Sequence, residues 1–383
     1  HMPTAAPTAA PTAPMAGLRV IDFTTVIAGP YCTRLLADCG AEVIKIETEA
    51  GDQIRIVPPM SDGASTYFAH LNCGKKSVVL DLRSEEGRQA ALKLVASADV
   101  VVENFRPGVM ARLGLEYNTL AAGRTDLVYC AISGFGQTGP RSREPAYAPI
   151  IHAGSGLDLA QMSYQDELTK PEKSGIFTAD VMAALFAFGA IQTALLGRER
   201  HGTGQFIDVA MMDAMINLLI YETQTAQFPD GPPRPLFTPT RTTDGFIIIV
   251  PIGQRIFEDM ADAMGHSEWK SDPRFVDGPE RRTHWPALID VIESWTSERT
   301  AREAEATLTE AGVPCSRYRT VSEAMADPQT LSRGLMAHVP DGDGGFQVPN
   351  PPFKFADGTI GVTPSSPKLG EHTDEILAAL DDI

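Results

Sequence analysis

Ser174–Asp213, SGIFTADVMAALFAFGAIQTALLGRERHGTGQFIDVAMMD, is the stretch on which the reading of the chain turns. From Val181 to Ile191 it has no polar side chain, as in a helix at the centre of a large protein or in a membrane. Gln192 and Thr193 interrupt the run short of the roughly 20 apolar residues of a bilayer span, which predicts a core helix. Asp180 stands immediately before that run. As an N-cap, its carboxylate would accept a hydrogen bond from an orphan N–H of the first turn. The positive end of a central helix would equally hold an ionised carboxylate for nucleophilic chemistry. The local pattern permits both.

Working outward, short β-rich runs predict strands at Leu18–Phe23, Glu42–Glu47, Ser77–Leu82, Asp99–Asn104, Asp126–Ser133 and Gln205–Ala210. Helical segments lie between several of them, among them TRLLADCG and EEGRQAALKLVASA, and a long apolar helix is expected from Met211 to about Gln227. Alternation of this kind gives a mainly parallel α/β sheet covered on both faces. The Pro-rich break PDGPPRPLFTP (Pro229–Pro239) is the boundary signal. The expected division is a leader over 1–16, a large Rossmann-like domain over 17–228, a smaller α+β domain over 229–330, and a segment over 331–383 returning to the large domain. The leader, HMPTAAPTAAPTAPMA, has nothing to bury.

The formal charge is −17, from 32 basic and 49 acidic side chains with no basic block, which argues against nucleic acid and anionic membrane surfaces. Five scattered cysteines (Cys32, Cys39, Cys73, Cys130, Cys315) contain no C-x-x-C, and the eight histidines show no metal-ligand spacing. This reads as a reduced, cytoplasmic chain without a metal site.

Gly134–Gly139 (GFGQTG) satisfies the dinucleotide fingerprint after a predicted strand. Its context fails, because Pro140 and RSREP follow where a helix N-terminus would have to receive a pyrophosphate. The first βα turn reads VIAGPYCTR, without those glycines. A nicotinamide enzyme is therefore not expected.

The block around Asp180, with RERHGTGQ, DFTTVIAGPYCTRLLADCGAEVIKIE, NCGKKSVVLDL, VVENFRPGVMARLGL, GFGQTGP and LGEHTDEIL, resembles the class III CoA-transferases, a family that includes formyl-CoA transferase and the α-methylacyl-CoA racemases. The matches run from about Gly17 to Leu380. The resemblance implies acyl-CoA and carboxylic acid substrates, no cofactor beyond coenzyme A, and a homodimer of two interlocked ring-like subunits. It implies that Asp180 carries the covalent chemistry and that the loop of Gly134 and Gly136 lies beside the thioester. For CoA the matched positions are Val26, Ile27, Asn72, Lys75, Asn104 and Arg112, the basic ones suiting phosphates. Where the racemases have a catalytic His this chain has Tyr147, which points to the transferase side; His152 is then a packed histidine. The flexible glycine-rich loop of formyl-CoA transferase has no counterpart between Phe228 and Gly245. A racemase, and a CoA-binding protein in which Asp180 only caps a helix, remain the alternatives.

Overall fold

The computed structural model describes residues 12–381 except Pro233. Two compact units are present, one of residues up to Gln227 together with the segment from Leu331, the other Phe228–Thr330. The larger unit is built on β1 (Arg19–Asp22), α1 (Ala28–Asp38), β2 (Glu42–Glu47), α2 (Thr66–Asn72), β3 (Lys76–Val79), α3 (Glu85–Ala96), β4 (Val100–Glu103), β5 (Val128–Ser133), α4 (Ala148–Ser155), α5 (Thr178–His201), β6 (Phe206–Ala210) and α6 (Met211–Leu218). Its six strands pair in the order β3-β2-β1-β4-β5-β6, every neighbour parallel. The Val/Ile-rich strand interiors are buried on both faces, one side covered by α1 and α5, the other by α3 and the last helix. The order reverses between β1 and β4. In open parallel sheets that point opens a crevice at the strands' carboxyl ends, where ligands bind.

Helix α5 departs from expectation in three ways. It runs 24 residues, straight through Gln192 and Thr193, and by length and composition it could cross a bilayer. It starts at Thr178, so Asp180 is the third residue of its first turn and not its N-cap. Its apolar surface is only half covered: Ala183, Ala184, Ala187, Phe188 and Ile191 pack inward, while Val181, Leu185, Phe186 and Leu196 face outward, Leu196 being 54% exposed. The inward alanines let α1 approach closely, which puts the bulkier side chains on the outer face. The helix expected from Met211 to Gln227 also breaks. Leu219 (φ −82°, ψ 57°) ends α6, and only Glu222–Thr225 resumes helically.

Residues 1–11 of the expected leader lie outside the described residues. The remainder is anchored at Met15, which is buried and whose N–H bonds Cys39 O at 2.9 Å. At the far end, the turn into the last helix, Thr373–Asp381, holds the free edge of the sheet. Ser77 N–H donates to His372 Nδ1 at 3.2 Å and Val79 N–H to Thr373 Oγ1 at 3.0 Å.

The second unit is α+β. Its three-stranded sheet places Phe246–Ile249 between Thr240–Arg241 and Cys315–Arg317, with helices Gln254–Ala263, Trp285–Thr296 and Ala301–Glu310 around Phe257, Leu288 and Leu308.

Candidate active site

The crevice beside β1 and β4 is lined by Thr25, Val26, Asn104, Arg106, Gly134, Tyr147 and Asp180, among others. Four separate parts of the large unit thus bring their predicted residues together. Two larger recesses of the same unit, one around Phe353 and one around Tyr117, do not include Asp180.

The turn after β1 is held in an unusual conformation. Val26 adopts φ +70°, a left-handed geometry that a β-branched residue reaches only under strain. Its N–H faces both Asp52 carboxylate oxygens at 3.3 Å. Asp52 is paired with Lys45 at 3.0 Å, both side chains fully buried, and Lys45 Nζ also donates to Thr24 O at 2.7 Å. From the other side, Asn104 exchanges two hydrogen bonds with the Thr25 backbone. Directly below, Gly29 packs on Thr24 so closely that a Cβ would lie 2.2 Å from the Thr24 side chain.

A second buried ion pair supports the same turn. Lys75 Nζ donates to Asp22 Oδ2 (3.0 Å), Pro30 O (2.9 Å) and Asn72 Oδ1 (2.8 Å). Burial alone would raise Asp22, but Lys75 and Lys45, with the Thr24 and Thr33 hydroxyls, hold it at about 2. Lys75 was expected at a CoA phosphate; instead its side chain is fully buried and all three ammonium protons are engaged. Asn72 is likewise buried, and so is Ile27. Arg112 is exposed on the short helix Val109–Arg112 and does not line the crevice. Of the six positions matched to CoA, Val26 and Asn104 line it. Arg106, within the same ENFRPG stretch, is the basic side chain that does, and the sequence reading passed over it.

Asp180 sits where α5 and α1 meet. Burial raises its pKa to about 6, opposed by its own N–H and that of Ala28, both directed at the carboxylate. Ala28 is the first residue of α1, whose preceding Ile27 offers no capping side chain, so the carboxylate lies at two positive helix ends. Tyr67, which is not among the residues lining the crevice but feels the charge of Asp180, has a buried hydroxyl without a hydrogen-bond partner. Burial, then the charges of Asp180 and Asp52, raise its pKa to about 12, so at neutral pH it is a proton donor lacking an acceptor. It is 113 positions from Asp180 in a stretch of no distinctive pattern, and no local signal marks it.

The GFGQTGP loop reaches the crevice through Gly134, where a Cβ would lie 2.2 Å from that of Ala146. Gly136, at φ +86°, does not line it. Its N–H donates to Ser133 Oγ at 2.9 Å and that of Gln137 to Asp208 Oδ2 at 3.0 Å, so these two amides serve the loop itself. Tyr147 begins α4 at the rim, 62% exposed. His152 is packed, its Nε2 accepting from Ala179 N–H at 3.0 Å and its Nδ1 meeting Ser174 Oγ. Among the described residues, no group of three His, Cys, Asp or Glu side chains is placed to hold a metal.

A family model described as CoA-transferase family III matches residues 15–373. The chain is 33% identical over 390 residues to a succinate–glutarate CoA-transferase of Agrobacterium fabrum, covering 97% of this chain and 96% of that one. It is 36% identical over 370 residues to an acetyl-CoA:oxalate CoA-transferase of Acetobacter aceti, covering 94% of each. The crystal structure of a CaiB/BaiF family protein from Brucella suis superposes with a TM-score of 0.85 at 34% identity, over 97% of this chain and all of that one.

Proposed function

The chain belongs to CoA-transferase family III, and from that premise we propose that it transfers CoA between an acyl-CoA and a free carboxylic acid by covalent catalysis at Asp180. The observation that carries this reading is the Asp180 carboxylate, half-buried in the crevice at the positive ends of two helices.

An Asp180 oxygen attacks the thioester carbonyl carbon. The C–S bond breaks, CoA leaves as thiolate, and a mixed anhydride remains. The thiolate attacks the Asp180 carboxyl carbon, the anhydride C–O bond breaks, and the first acid departs, leaving an aspartyl-CoA thioester. The acceptor carboxylate attacks that carbon, releasing thiolate and forming a new anhydride. Attack of thiolate on the acceptor's acyl carbon gives the product thioester and regenerates Asp180. The thiolate is a good leaving group because its conjugate acid is far more acidic than an alcohol. We assign the Tyr67 phenol, protonated and unpartnered, to the growing negative charge on the carbonyl oxygen. Val26, Asn104 and Arg106 are assigned to CoA, and Gly134 and Tyr147 to the acyl end.

Short carboxylic acids are the proposed acceptors, the relatives being named for succinate, glutarate and oxalate. Tyr147 in place of a His, and a His152 already bonded on both ring nitrogens, support transfer over racemisation. The uncovered Val181, Leu185, Phe186 and Leu196 face supports a homodimer, which we take to be interlocked. Five free thiols, four of them buried, fit a reducing cytoplasm.

The test is incubation with acyl-CoA in the absence of acceptor, followed by hydroxylamine. A hydroxamate on the peptide containing Asp180, absent from Asp180→Asn, is expected. Undiminished transfer by a folded Asp180→Asn variant overturns the mechanism.

A further inference from the structure

The first turn of α5 must be held from outside, because its N-cap, Phe177, offers no capping side chain. A helix start leaves its first N–H groups to be satisfied from outside the helical ladder, and those of Thr178, Ala179 and Asp180 can be followed here. Thr178 N–H bonds Ile176 O at 2.9 Å, and Val181 N–H makes the first intrahelical bond, to Phe177 O at 3.1 Å. Asp180 N–H is directed at its own carboxylate. Ala179 N–H, on a fully buried residue, has its partner on another helix, His152 Nε2 of α4 at 3.0 Å.

We propose that His152 is a positioning residue for Asp180, capping α5 from across the helix pair so that the adjacent carboxylate is held aimed into the crevice. The idea rests on the covalent role of Asp180.

The setting supports it. His152 is 1% exposed. Because Nε2 accepts, the ring proton is on Nδ1 and donates to Ser174 Oγ, which fixes both tautomer and ring plane. The polypeptide entering α5 gives no other support: between Gln165 and Phe177 every residue except Leu168 is exposed, and none is in a helix or strand. His152 therefore ties both ends of the approach, Ser174 before the helix and Ala179 inside it. Tyr147, the N-cap of α4 and five residues before His152, lines the crevice. One short helix thus sets the distance between the acyl-end tyrosine and the nucleophile. Removing the acceptor leaves a buried N–H unpaired, and a first turn that relaxes moves the Asp180 oxygens off the line of attack, to which rates are very sensitive.

Three variants test this on the full chain: His152→Gln, whose amide can accept from Ala179 and donate to Ser174, His152→Leu, which can do neither, and Ser174→Ala. The readouts are kcat and KM for acyl-CoA with an acid acceptor, hydroxamate yield at Asp180, and hydrogen exchange of the peptide spanning 177–182. For His152→Leu, kcat and hydroxamate formation should fall roughly tenfold or more, KM should stay within about twofold, and protection at Ala179 should be lost. His152→Gln should restore both rate and protection, with Ser174→Ala between. A folded His152→Leu with normal kcat overturns the proposal, as does a His152→Gln that keeps full rate with Ala179 unprotected. If His152→Leu does not fold, His152→Gln and Ser174→Ala decide by the same criteria. A wild type that forms no hydroxamate, with Ala179 protection still dependent on His152, refutes the covalent reading and leaves the cap standing.

Discussion

Asn104 and Thr25, 79 residues apart, exchange two hydrogen bonds: Asn104 Nδ2 donates to Thr25 O at 2.7 Å, and Asn104 Oδ1 accepts from Thr25 N–H at 2.9 Å. This clasp closes the carboxyl ends of β1 and β4, where the strand order reverses, and fixes the turn of Val26 at the crevice. Asn104→Ala should cost about 2 kcal/mol, at about 1 kcal/mol per bond, and weaken CoA binding by calorimetry. Asn104→Asp should be less stable still at pH 7, because an ionised oxygen would face Thr25 O. Acidification should restore part of that loss, as a protonated Asp can donate. Equal thermal midpoints for the Ala and Asp variants at pH 7 would refute the clasp.

Asp180 supplies a pH test with a definite sign. Burial raises its folded pKa to about 6, above the 3.8 of a freely solvated Asp, so the folded state holds a proton that the unfolded chain has lost between those values. Its contribution to stability is present below about 3.8 and lost as pH rises through about 6. Relative to Asp180→Asn, the wild type should lose thermal stability from pH 4 to 6 and change little above. Only the ionised carboxylate attacks, so covalent loading should rise with pH to a plateau with an apparent pKa near 6. A flat stability difference across that window would show that Asp180 is not perturbed.

Lys75 and Arg106 should behave as opposites. Lys75→Met leaves Asp22 buried without its nearest counter-charge and should cost about 3–5 kcal/mol in denaturant unfolding. Arg106→Glu alters an exposed side chain, should leave stability within about 0.5 kcal/mol, and should weaken CoA binding at least about tenfold. Arg112→Glu, off the crevice, should weaken it less. If Lys75→Met is fully stable and loses only CoA affinity, the burial of this pair has been misassigned.

Tyr67→Phe separates packing from chemistry. Deleting a buried hydroxyl that has no partner should be neutral or slightly stabilising. Catalysis should nonetheless fall by roughly tenfold or more in kcat, with little change in KM, if the phenol meets the carbonyl oxygen. Full activity in the Phe variant would remove Tyr67 from the mechanism.

The parallel sheet was legible because each strand is a short Val/Ile-rich run with helical material between. The faces of α5 were not. Alanines lie inside and Leu185, Phe186 and Leu196 outside, so hydrophobicity carries no periodic signal. Asp180 could be found from its neighbours, but whether it precedes the helix or occupies its third position depends on where Phe177 ends the irregular segment. The pairing of Lys75 with Asp22 was not legible, because a lysine serving a phosphate and one neutralising a buried carboxylate beneath the same turn occupy the same sequence slot. Leu219 ends α6 without a Gly or Pro to announce it.

The hold of His372 and Thr373 on the strand Lys76–Val79 has a consequence for biosynthesis. A ribosome releases that strand early, but its partners follow 295 residues later, after all of Phe228–Thr330 has been translated, an interval on the order of 15–60 s at ordinary elongation rates. Throughout that interval the nascent sheet presents an unpaired edge to other nascent chains. Translation speed across the middle of the message is therefore expected to govern how much of the product escapes aggregation, although none of the codons concerned encodes a residue of the crevice.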